Sequence, residues 1–262
     1  MKRVAKIFWV LFFICSAINI LSLATGHREI GVYAQPFIVP LMAVALFIEL
    51  SSQKNAKSIV ISFGCKDKFH LLCTFIMYTA GNIFMMSECD DCFVHGMIFF
   101  LMGHLSYILF FFRMIPEIRT RKFVIYAATL LIPAVLIPFT LDLNLPLIFT
   151  VAGYSYTLLI MALTGYATLI HSDSFDKLDD DDDPDSWNES DALHRAGSYM
   201  LFGALLFIVF HFIIAIKHFL GFDFKYDEAI MMVAYIAAHV RMAKAVLGLQ
   251  SRFCMFMNIR KK

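Results

Sequence analysis

The chain has 262 residues, of which 60% are hydrophobic and only 16% charged, with a formal net charge of +1. A mean hydropathy of +0.72 excludes an ordinary soluble globular domain, and a near-zero charge without a basic, aromatic-interleaved patch excludes a nucleic-acid partner. Six cysteines in this length make no disulfide framework. Phe (28) and Met (15) are heavily used, as expected for helices that can be apolar on every side because lipid surrounds them. The expected fold class is all-α, a polytopic membrane protein forming a single transmembrane domain over residues 1–262.

A helix of about 18 residues rises about 27 Å, close to the hydrocarbon thickness of a bilayer, and apolar runs of about that length recur eight times. The first, 7–24, follows Lys2, Arg3 and Lys6. A signal peptide shares that layout, but this run is longer and lacks a clear cleavage site, so a retained helix is expected. The second, 33–48, is entered at Gln35-Pro36, in a first turn that tolerates proline. A basic loop (Lys54, Lys57, Lys66, Lys68) leads to the third, 69–86, with His70 at its edge and Asn82 well inside. After the acidic link around Asp90 and Asp91, the fourth, 93–114, carries His104, Ser106 and Tyr107.

A second basic loop (Arg119, Arg121, Lys122) precedes the fifth, 123–141, where Pro133 and Pro138 are expected to kink the helix. The sixth, 146–170, is rich in Tyr and Thr. The polar segment 171–195 follows, with five consecutive aspartates at 179–183. It reads as a solvated, disordered acidic connector, and it has no EF-hand spacing. The seventh, 199–216, is YMLFGALLFIVFHFIIAI, uniformly apolar but for His211. The eighth, 229–247, ends with Arg241 and Lys244, which can snorkel to the interface, and a basic tail occupies 249–262.

Eight spans place both termini on one side. The N-terminus, the loops after spans two and four, and the tail are all basic and fall together, so the positive-inside rule makes that side cytosolic. The acidic segment 171–195 shares it, and the sequon at Asn188 would stay unmodified there. On the other side, Cys89 and Cys92 can pair as a disulfide if the compartment is oxidising.

Polar side chains cluster by depth. At about 1.5 Å per residue, His104 and His239 lie within about 2 Å of the midpoints of their spans, and Asn82 and His211 about 5–7 Å off-centre toward the non-cytosolic face. Tyr235 lies one turn from His239 on the same face, Tyr107 shares a face with His104, and Gln35 enters from the same non-cytosolic end. Groups of this kind at membrane depth need partners or a polar cavity, and one shared cavity would serve them all. Each taken singly can equally be an interhelical hydrogen-bond partner worth about 1 kcal/mol or less. The histidine spacings match no zinc motif, so neither a metal nor a cofactor is expected.

Two segments resemble the lysoplasmalogenase-like, YhhN-type family. In the first, Phe93, Gly96, Phe100, His104 and Tyr107 are similar to a Phe-x-x-Gly-x-x-x-Phe-x-x-x-His-x-x-Tyr pattern, preceded by Gly81-Asn82 where the family has Gly-Asp. In the second, Gly203, Ala204 and Phe207 lead to Phe210-His211 in place of Ser-Asp, and Ala229 to Tyr235 leads to His239 in place of Gln. Gln35 stands where a lysine often precedes the proline of the second helix. The resemblance implies hydrolysis of the vinyl ether bond of a lysoplasmalogen to a fatty aldehyde and a glycerophospho-head group. Such chemistry suits a pair of carboxyl groups, one to protonate the vinyl carbon and one to steady the oxocarbenium ion.

Both family aspartates are replaced here. Histidine can act as acid or base near neutral pH and asparagine cannot. The hydrolase reading therefore assigns His211 as proton donor, His104 or His239 as the base that activates water, and Tyr107 and Tyr235 as positioning groups beside Asn82. Gln35, Gly81 and Ser106 are expected to contact substrate. The alternative is a catalytically inactive relative that binds lipid in the same pocket; a transporter finds no support from inverted repeats. The family also implies an endoplasmic reticulum membrane.

Overall fold

The computed structural model describes residues 2–52, 65–87, 89, 91–115, 118, 120–139, 145–175 and 184–259. Among the described residues the chain forms eight α-helices and no strand: α1 (Lys2–Ala24), α2 (Arg28–Ser52), α3 (Cys65–Met86), α4 (Cys92–Met114), α5 (Arg121–Phe139), α6 (Leu145–Phe175), α7 (Pro184–Leu220) and α8 (Asp227–Ile259). Seven of them, α1–α4 and α6–α8, are long and apolar enough to cross a membrane. The remaining helix, α5, holds Pro133 and Pro138 within it. Its first turns meet the last turns of α6, where Lys122, Phe123 and Tyr126 face Leu163, Tyr166 and Ile170 across a cavity of about 300 Å³. α5 therefore runs antiparallel to α6 along the bundle.

Helices continue past the ends of three of the expected spans. The connector expected over 171–195 is helical at both its ends, because α6 continues to Phe175 and α7 already begins at Pro184. Proline suits a first helical position, since its missing N–H would have had no partner there. Once nucleated, a helix gains one bond per residue added and need not stop at the hydrocarbon boundary. α8 likewise runs to Ile259, through most of the expected tail. The aspartate run at 179–183 lies outside the described residues.

The helices pair as antiparallel hairpins. At one end of the α3–α4 pair Arg113 Nε donates to Asp67 Oδ1 at 2.7 Å, and at the other Cys89 is bonded to Cys92. Asn19 of α1 donates to the Gly31 carbonyl of α2 at 2.9 Å. Lys217 of α7 lies 2.6 Å from Asp227 of α8, across a turn where Gly221 adopts φ +60°, a conformation glycine takes without Cβ strain. Gln250 ties the end of α8 to the Leu50 carbonyl of α2 at 2.9 Å.

α6 and α7 pack backbone against backbone. A Cβ on Gly165 would stand 2.5 Å from the Leu201 nitrogen, and one on Gly197 would stand 2.9 Å from the Leu169 nitrogen. Small residues at such crossings let backbones meet, which replaces the hydrophobic drive that lipid removes.

The outer surface is apolar. Phe13, Leu21, Phe37, Phe149 and Phe212 are each more than half exposed, as suits side chains solvated by lipid. The inner surface is aromatic, with Tyr78, Phe100, Tyr107, Phe207 and Tyr235 almost wholly buried. Thr157, Thr164 and Thr168 of α6 donate to carbonyls one turn back on their own helix, so these three are satisfied locally.

Candidate functional site

A cavity of about 610 Å³ begins at the end of the bundle where the α1–α2, α3–α4 and α7–α8 turns lie. Its rim is charged, with Arg28 and Glu29 from the first turn of α2, Lys217 from the last turn of α7 and Glu228 from the first turn of α8, and His218 lies beside Lys217. Within the rim, Glu228 lies 3.8 Å from Arg28 and 3.5 Å from Lys217. The walls are apolar and adaptable, with Met85, Met86, Phe93, Ile214, Met231 and Met232; thioether side chains accommodate irregular apolar shapes. The cavity extends inward past Gln35 to Asn82, Phe100 and Phe210.

Asn82 is the polar group of the inner end. Its Nδ2 donates to the Tyr235 hydroxyl at 2.8 Å, joining α3 to α8. Asn82 and Gln35 line the cavity, whereas Gly81 and Ser106 do not. Gly81 is buried beneath the Phe100 ring, 2.9 Å from where its Cβ would stand, and Ser106 sits half-buried on α4.

Phe100 and Phe210 form a wall between this cavity and the histidines. Their rings meet edge to face with centroids 6.0 Å apart, and His211 lies behind them, 5.7 Å from Phe100 and 4.5 Å from Phe210. Edge-to-face aromatic pairs at such separations are favourable beyond the area they bury. His211 makes two hydrogen bonds: its Nδ1 to the Phe207 carbonyl at 2.8 Å and its Nε2 to the Tyr154 hydroxyl. Tyr154 also bonds His104 Nε2 at 3.0 Å, and His104 Nδ1 bonds the Tyr78 hydroxyl at 2.5 Å. Tyr78, His104, Tyr154 and His211 thus connect α3, α4, α6 and α7 through side chains alone.

His239 occupies a separate place, enclosed by the rings of Tyr235, Tyr78 and Phe207 at 4.5, 4.6 and 5.0 Å. Neither of its nitrogens has a hydrogen-bond partner among the described residues, and the same holds for the buried Tyr107 hydroxyl. Among the described residues no group of three or more His, Cys, Asp or Glu could hold a metal ion.

Sequence reasoning did not single out Tyr78 and Tyr154. The depth rule it applied to histidines would have found them. Tyr78 falls at the midpoint of its span with His104, and Tyr154 lies about 6 Å off-centre on the same side as His211. Gly103 makes room for the first of these, since a Cβ there would stand 3.2 Å from the Tyr78 ring.

Fold and cavity together define a polytopic helical membrane protein with an internal cavity, charged at its rim and apolar along its walls. The chain belongs to the YhhN family, whose pattern it matches over residues 31–246. That range runs from the first turn of α2 to within α8 and includes every residue of the tyrosine–histidine cluster just described. No curated protein and no solved structure matches the chain.

Proposed function

We propose that this protein is a lysoplasmalogenase-like membrane hydrolase that cleaves the vinyl ether bond of a lysoplasmalogen to a fatty aldehyde and a glycerophospho-head group. The observation that carries the reading is the cavity itself, in a chain of this family. Its charged rim suits a zwitterionic head group, its methionine and phenylalanine walls suit a single hydrocarbon chain, and Gln35 along the cavity and Asn82 at its inner end offer hydrogen bonds. In the reaction a proton joins the vinyl carbon, water adds to the resulting oxocarbenium ion and loses a proton, and the hemiacetal collapses to aldehyde and alcohol. One proton is consumed and one returned, so the site needs a group able to do both. His211 is the assigned proton donor, and His104 or His239 the base that activates water. With Phe100 and Phe210 between His211 and the cavity, delivery requires one of those rings to turn aside.

A second reading, lipid binding without chemistry, has its own support. Among the described residues the carboxylates that line the cavity, Glu29 and Glu228, are at the rim, and the inner end carries an amide. The two readings separate in one assay. Purified protein in nanodiscs is incubated with a lysoplasmalogen, and aldehyde release is measured beside lipid retention. The hydrolase reading expects release that falls at least a hundredfold in His211→Ala. Retention without aldehyde would establish the second reading. Restoring the acid pair in the double variant Asn82→Asp, His211→Asp is expected to raise aldehyde release at least tenfold.

The same proposal places the termini in the cytosol and the protein in the endoplasmic reticulum membrane. Its support is the grouping of Lys and Arg at the bundle end opposite the cavity rim, with the Cys89–Cys92 bond on the rim side. A glycan on Asn188 would overturn that orientation.

A further inference from the structure

We propose that Tyr78, His104, Tyr154 and His211 form one directed proton wire, with Tyr154 as the residue that couples the two histidines.

The direction follows from the final acceptor. The Phe207 carbonyl can only accept, so the hydrogen of the 2.8 Å contact sits on His211 Nδ1. In the neutral imidazole Nε2 is then bare, and Tyr154 must donate to it. Tyr154 has one hydrogen; having given it to His211, its oxygen accepts from His104, which therefore carries its hydrogen on Nε2 at 3.0 Å. His104 Nδ1 is bare in turn and accepts from Tyr78 at 2.5 Å. The two histidines are thereby held in opposite tautomers. Every member of the chain donates once, and each hydrogen bond polarises the next.

This arrangement moves a proton without moving an atom heavier than hydrogen. A proton arriving on the Tyr78 oxygen releases the original Tyr78 hydrogen to His104 Nδ1. His104 passes its Nε2 hydrogen to Tyr154, and Tyr154 passes its own to His211 Nε2. The result is an imidazolium at His211, still bonded to the Phe207 carbonyl, with Tyr78, His104 and Tyr154 neutral as before and His104 switched to the other tautomer. The entry point has the polar groups to hold a water as proton source. The Tyr78 ring lies 4.6 Å from His239 and 5.9 Å from Tyr107, whose buried ring nitrogens and hydroxyl have no hydrogen-bond partner among the described residues. The wire does not rest on the hydrolase reading. In that reaction it would return to His211 the proton that the attacking water loses.

The test reads tautomers rather than turnover. Protein labelled with ¹⁵N-histidine is reconstituted in nanodiscs, and the two signals are assigned by their loss in His104→Gln and His211→Gln. The wild type is expected to show His211 protonated on Nδ1 and His104 on Nε2. Tyr154→Phe removes one hydrogen bond from each ring and is expected to shift both histidine Nε2 resonances by several ppm. Tyr166→Phe, a half-exposed position on the same helix, is expected to move neither. Should Tyr154→Phe fail to fold, Tyr78→Phe is expected to shift His104 Nδ1 while leaving His211 protonated on Nδ1. Identical tautomers for both histidines in the wild type would overturn the wire. So would unmoved His104 and His211 signals in folded Tyr154→Phe, or an unmoved His104 Nδ1 in Tyr78→Phe. Absence of aldehyde release would leave these signals as they are, so the wire and the hydrolase reading fail separately.

Discussion

Gly165→Leu is expected to prevent accumulation of folded protein, and Gly165→Ala to lower its unfolding temperature by about 5–10 °C. A Cβ at this position would stand 2.5 Å from the Leu201 nitrogen and 2.8 Å from its Cα. These are backbone atoms, which cannot turn away as a side chain would. α6 and α7 would have to separate, at a cost of about 1–3 kcal/mol for the first carbon and more for each one added. The loss is not confined to packing, because α6 carries Tyr154 and α7 carries His211; spreading the helices pulls that hydrogen bond apart. Gly153 is the internal control. Nothing lies within 4 Å of its would-be Cβ, so Gly153→Ala should be neutral or stabilise by up to about 1 kcal/mol through helix propensity. Size-exclusion after heating in detergent measures both. Equal behaviour of the two alanine variants would refute the close α6–α7 crossing.

Phe100→Ala is expected to cost about 3–5 kcal/mol, the range for a buried phenylalanine truncated in a packed core, and to open the histidine cluster to the cavity. The Phe100 ring contacts the rings of Tyr78, Phe210, His211 and Tyr235 and lies over Gly81. Its removal joins the space in front of Asn82 to the space in front of His211. Modification of His211 by diethyl pyrocarbonate, followed by mass spectrometry, should rise several-fold in Phe100→Ala over the wild type. Phe100→Leu, which keeps most of the volume, should unfold nearer the wild-type temperature and leave His211 largely protected. A wild-type His211 already modified as fast as in Phe100→Ala would mean that the ring is no barrier.

Much of the site's vertical arrangement is legible in the chain. Asn82 and Tyr235 fall at one depth when residues are counted from the ends of their spans, and they are hydrogen-bonded at 2.8 Å. His104 and His211 differ in depth by about one helical turn, and a single tyrosine side chain bridges them. Tyr154 carries no distinguishing signal in the chain, because Tyr156 and Tyr166 recur in the same span. Gly81 was expected to touch substrate. Instead the Phe100 ring covers it, a contact between α3 and α4 for which spacing along either helix has no signal. The extensions of α6, α7 and α8 beyond the hydrocarbon were missed for a simpler reason: hydropathy marks where lipid ends, and a helix is not obliged to end there.

Composition and the lengths of the apolar runs are one-dimensional properties, and they are enough to settle that this is a helical membrane protein. They also place each polar group along the bilayer normal, because rise per residue is constant. Rotation about each helix axis is a different matter. A soluble helix declares its inner face by being apolar there, whereas these helices are apolar on all sides. Only packing, steered by glycines at 165 and 197 and by aromatic rings of fixed shape, turns His211 toward Tyr154 and away from the cavity. The same packing sets Phe100 and Phe210 as the wall between them. The sequence therefore holds the histidines at membrane depth, and the contacts between helices join two of them into a connected chain and leave the third enclosed by aromatic rings.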